Sequence, residues 1–155
     1  MKNSRHGWLL AAVLLLGVPQ FSAQTQNDMN QDACGQYKQA DQALNATYSK
    51  VLRGYAKDTE FLVKLKHAQR AWIVFRDAHL SAHFPSADKA AEYGSSYPAC
   101  RCVLLAELTR QRVQELQVWA NGIPEGDVCN GSVKTAAWVT GNHSGNRQCS
   151  KPAGM

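Results

Sequence analysis

The feature that most constrains this chain is an apolar run spaced for a helix between Asp58 and Pro85. Phe61, Leu65, Ala68, Trp72, Phe75 and His79 recur at steps of four and three, the period of one helix face and not of a strand. A face that long has to be covered, and helices covering helices make a bundle. Asp58 is a good N-cap, Glu60 places an acid at the positive end of the helix, and Pro85 marks its end. The densest part is "AQRAWIVFRDAH", residues 68–79. Its spacing assigns Trp72 and Phe75 to the core. Arg70, Arg76 and Asp77 lie beside the seam, placed to pair with Glu107, Arg110, Arg112 or Glu115 of a later helix. Such pairs set register and orientation more than they add stability.

Two further segments have the same period. Tyr37, Ala40, Leu44, Tyr48, Val51 and Tyr55 mark one helix, which Gly54 helps to end. Leu105, Thr109, Val113, Leu116 and Ala120 mark another, opened by Pro98, flanked by Leu108 and Trp119, and stopped by Asn121-Gly122 and Pro124. Between the second and third helices runs the connector "FPSADKAAEYGSSYP", residues 84–98, and residues 122–155 are rich in Gly, Ser and Asn. The expected fold is all-α: an antiparallel three-helix bundle with room for a short extra helix, stapled by disulfides and followed by an irregular tail. The domain boundaries expected are 1–23 for a leader, 24–33 for a flexible lead-in, 34–121 for the helical domain and 122–155 for the tail.

The leader reads as a secretory signal peptide. Lys2 and Arg5 precede the apolar run Trp8–Val18, Pro19 breaks it, and Ser22-Ala23 offers a small-residue exit near which cleavage is expected. The run is too short to span a bilayer as a stable helix, so no membrane insertion is expected after cleavage, and the mature chain should be periplasmic or secreted. Losing Lys2 and Arg5 takes the formal charge from +5 to +3, and no long basic block points to nucleic acid. All five cysteines lie in the mature part, which in an exported chain means disulfides and one thiol left over. In an up-down-up bundle Cys34 should reach Cys102 or, failing that, Cys100, and Cys129 and Cys149 should close the tail.

"ADQALNATYSKVL", "LKHAQRAWIVFRDA", "YGSSYP" and "LLAELTRQRVQEL" stand in the order and spacing of the LprI-type lysozyme-inhibitor N-terminal domain family, which this chain resembles over about residues 31–129. "EGDVC", residues 125–129, is similar to a tail seen in some members. The resemblance implies a small, exported, all-helical bacterial protein whose partner is a lysozyme-type glycosidase. The chain departs from the family where many members carry a cysteine after the "RDA" segment. His79 and Leu80 stand there instead.

Chemistry of other kinds finds little support. His79 and His83 are four apart, and with Cys100 and Cys102 could make a zinc site. No glutamate stands beside the first histidine to act as a base, however, and exported cysteines oxidise, so neither metal nor cofactor is expected. No nucleophile elbow or phosphate-binding loop occurs, and the chain is not read as an enzyme. The expected contact surface is the connector, where Tyr93, Ser95, Ser96 and Tyr97 offer rings and hydroxyls on a loop held by two helices. The expected function is non-covalent inhibition of a lysozyme-type muramidase. The alternative is a disulfide-stapled helical module with a structural or envelope-stress role. The oligomeric state is left open.

Overall fold

The computed structural model of the chain describes residues 25–126 and 129–141. The expected leader, Cys149 and most of the last stretch of the tail lie outside the described residues. The elements are α1 (Gln26–Gly54), α2 (Thr59–His83), α3 (Lys89–Tyr93), a 3-10 turn at Gly94–Ser96, α4 (Tyr97–Asn121) and α5 (Ala136–Val139). Among the described residues there is no strand, only one isolated bridge between Ile123 and Thr135.

α1 starts earlier than its apolar stripe. The expected lead-in forms its first turns instead, because Thr25 and Asp28 build a capping box: the Thr25 hydroxyl accepts from Asp28 N–H while the Asp28 carboxylate accepts from Thr25 N–H. The hydroxyl and the amide of Thr25, both donating to Asp28, hold its carboxyl below the usual aspartate range. α2 begins on Asp58, whose carboxylate accepts from Phe61 N–H at 3.0 Å. α4 carries Pro98 in its first turn and ends at Gly122 with φ 76°. A Cβ at Gly122 would meet the Ala136 backbone at 2.7 Å, so only glycine fits there.

Cys34 is bonded to Cys102 near the start of α1 and α4, with a Cα separation of 4.9 Å. At the other end Lys50 Nζ donates to Asn121 Oδ1. α1 and α4 are therefore parallel, and α2 runs against both: Phe61 lies by Trp119, Arg112 Nε donates to Gln69 Oε1 at 3.0 Å, and the end of α2 reaches the start of α4. This is the expected up-down-up bundle. The core of Leu44, Val51, Tyr55, Leu65, Val113, Leu116 and Ala120 sits in its lower half, and the predicted α4 stripe is buried throughout.

Two expectations about α2 fail. Phe75 is not core: it is 54% exposed, and Ala68 and His79 are exposed as well. Trp72 packs only partly against the core. α1 and α4 carry the bulk of the interhelical packing and α2 leans on α4 at few points, so Leu65 is the only α2 residue that is buried. The charges also pair differently. Arg76 takes its own neighbour Asp77 at 2.8 Å and lies over the Trp72 ring, while Glu107 pairs with Arg110, and Arg112 with Glu115, inside α4. Arg112 does reach α2, but through the Gln69 amide, so the ion pairs themselves stay within each helix.

Candidate functional site

Two surfaces distinguish this bundle from a plain helical scaffold: one lies at the disulfide end, and the other runs from there between α2 and α4. The first is the connector. Phe84, buried at the end of α2, receives Tyr93 and Tyr97 edge-on, each with centroids at 5.2 Å, and the two tyrosines stack at 5.9 Å. Edge-to-face contacts add to area burial. Tyr93 Oη accepts from Ser86 N–H. Lys89 Nζ donates to the carbonyls of Phe84 and Ser86. Ser96 Oγ donates to the Tyr93 carbonyl. Asn30 ties the connector to α1: its amide donates to the Ser95 carbonyl at 3.2 Å, and its Oδ1 accepts from Ala99 N–H at 3.2 Å.

The expected contact residues are thus brought together, but in different roles. Tyr93 and Tyr97 are half-buried struts, while Ser95 and Ser96 are exposed on the turn they support. Gly94, at φ 64°, lets the chain reverse there. The result is a short projection fixed at its base by the disulfide and by Asn30. Phe84 falls outside the periodic stripes of the sequence. A large apolar residue just before a proline at a helix end was the available signal.

The second surface is the cleft between α2 and α4. At the disulfide end it opens to about 480 Å³, lined by His83, Phe84, Cys100, Val103, Leu104 and Glu107. At the far end a smaller recess of about 240 Å³ lies among Phe61, Lys64, Ala68, Arg112, Trp119 and Ser132. Cys100 is an exposed thiol on this cleft. It does not join Cys102, which is taken by Cys34, so the conceived set of two histidines and two cysteines loses a ligand. Among the described residues no group of three or more His, Cys, Asp or Glu side chains is placed to hold a metal ion. Cys129 is exposed, and its expected pairing with Cys149 falls outside the described residues.

The opposite end is closed by the tail. Tyr55 Oη accepts from Lys134 N–H at 2.9 Å, and Lys134 Nζ donates to the Gly54 carbonyl at 2.8 Å. The ammonium lies over both Tyr55 and Trp138, at 4.1 and 3.2 Å from the ring centroids, a cation–π clamp worth on the order of 1–2 kcal/mol. Burial pulls the Lys134 ammonium down from its ordinary pKa, against Asp58, and pushes the Tyr55 phenol up. An open hollow of about 600 Å³ beside it is walled by Arg53, Lys57, Asp58, Glu60, Lys134 and Trp138.

Fold and surface together define a small, disulfide-stapled helical protein with a rigid loop at one end and an apolar cleft along one side. The sequence model of the family described as lysozyme inhibitor LprI matches residues 19–116, and the chain belongs to that family. It is also similar to an uncharacterized protein of Rhizobium meliloti (strain 1021), 39% identical over 106 residues, which cover 61% of this chain and 73% of the relative. No solved structure gives a significant match.

Proposed function

We propose that the protein is an exported inhibitor of a lysozyme-type muramidase that acts by non-covalent binding through the connector. The observation that carries this reading is membership of a family described as lysozyme inhibitors. The disulfide supports it, since such bonds persist in oxidising compartments outside the cytosol. The projection at Gly94–Ser96 is held in place before any partner arrives, so little loop entropy remains to be lost on binding. The muramidase cleft presents two carboxylates. The exposed Ser95, and the exposed Arg101 one turn into α4, offer donors of matching character.

The test is lysis of a bacterial suspension by chicken-type, goose-type and invertebrate-type lysozymes, with the mature protein added at micromolar concentration. Inhibition of at least one class is expected. Ser95→Glu puts a carboxylate against the acidic cleft and should weaken inhibition by about tenfold or more, about 1.4 kcal/mol, with helicity unchanged. No inhibition of any class would defeat the reading and leave a disulfide-stapled envelope module with another partner.

A further inference from the structure

α2 carries a second seam that no element among the described residues covers. Ala68, Ala71, Phe75, Ala78 and Ala82 recur at steps of three, four, three and four. At about 100° per residue they fall within an arc of roughly 80°. All five are exposed. Val74, 70% exposed, borders them. Steps of three and four sustained over two heptads are the signature of a helix that packs along its length against another helix. The seam also adjoins the α2–α4 cleft: Ala68 lines its far recess beside Arg112 and Trp119, and Val103 on its near wall is 58% exposed.

We propose that this face pairs two copies of the chain through an antiparallel contact of their α2 helices across a twofold axis. The seam itself argues for a second copy. A twofold contact requires a surface complementary to itself, and the 3-4-3-4 pattern keeps its sense when the helix is reversed. With the axis passing between residues 76 and 77, Phe75 of each copy rests on Ala78 of the partner subunit, and Ala71 faces Ala82 of the partner subunit. Each large ring thus meets a small residue, and the alanines let the helix axes approach to the short end of the usual 8–10 Å range.

Charge is compatible with this arrangement. The seam carries no formally charged side chain, while Arg70 and Asp77 sit on the other side of the helix. The contact is about 20 Å long and its side chains are mostly small, which places it among weak, transient interfaces below the standard size. A reversible, concentration-dependent dimer follows. The axis near residue 76 sends the two connectors to opposite ends, so pairing leaves both projections accessible.

Sedimentation of the mature chain, over about 1 to 200 µM, reads this without any muramidase. The expected result is a monomer at the low end and a dimer at the high end. Phe75→Glu should raise the midpoint at least about tenfold with helicity unchanged and, where both chains are monomeric, little change in melting temperature. Geometry is tested in a Cys100→Ser background. Ala71→Cys combined with Ala82→Cys should give a covalent dimer when the thiols are oxidised by a small disulfide, which takes up the two electrons and two protons per bond. Each single variant should stay unlinked, because its own copy lies some eleven residues away, about 16 Å along the axis. A monomer at every concentration, or single variants that link as readily as the double one, would overturn the proposal.

Discussion

α1 and α4 share buried side chains along their length, from Ala33 and Cys102 at one end to Val51, Leu116 and Ala120 at the other. α2, of comparable length and equally regular, buries Leu65 and leaves Ile73, Val74 and Phe75 in the open. The difference lies in the faces these helices offer. The α1–α4 seam mixes leucine and valine with alanine at Ala33, Ala40, Ala106 and Ala120, so the two helices can approach closely, and the Cys34–Cys102 bridge holds them there. α2 presents Phe61, Leu65 and Trp72 inward only over its first half. Its second half has a further apolar edge that faces away from that core. A helix with two apolar edges has more to cover than one three-helix core provides.

Four measurements would break or sharpen this contrast. The largest effect should come from the staple. Replacing Cys34 and Cys102 together by serine removes a cross-link with a sequence separation of 68 and should lower stability by about 4 kcal/mol in the chain-entropy description, read by urea unfolding. Core truncation comes next. Leu116→Ala empties a fully buried position on α4 and should cost about 3 kcal/mol, while Phe75→Ala, measured where the chain is dilute, should cost under about 1 kcal/mol. Equal losses for the two would mean that α2 is packed as tightly as α4 and would end the comparison.

Thr109 sits fully buried on the α4 seam with its hydroxyl unpartnered among the described residues. Thr109→Val keeps the shape and removes the desolvated hydroxyl, so it should stabilise by about 1 kcal/mol, visible as a higher urea midpoint. The smallest effect concerns the α1 cap. The Asp28 carboxyl is held below its ordinary pKa by Thr25. Its contribution is therefore present above the unfolded-state pKa and is lost as pH falls through the folded one. Amide exchange at residues 26–30 should speed up, relative to the centre of α1, as the solution is taken from pH 6 to pH 3. An unchanged ratio would show that the box does not hold the first turn.

Much of this protein was determined by its sequence alone. Apolar period, capping aspartates and the Pro98 and Gly122 punctuation specify three long helices and their order, because those signals act within a few residues of chain. The stripe on α4 from Leu105 to Ala120 was legible for the same reason, as was the Cys34–Cys102 pairing once the helices ran up, down and up. The family was legible in four short motifs. Only the tertiary structure decided which apolar residues of α2 the core could take. Phe75 and Leu65 obey one local rule, and their different burial depends on how close α4 allows α2 to come. Only the structure, too, shows Arg76 paired with Asp77 and Glu107 with Arg110, each within its own helix. The connector shows it too: the sequence put Tyr93, Ser95, Ser96 and Tyr97 on a loop, but packing around Phe84 decided that the rings support it and leave Ser95 and Ser96 exposed. Burial is a property of two surfaces meeting, and a single stretch of sequence encodes only one of them.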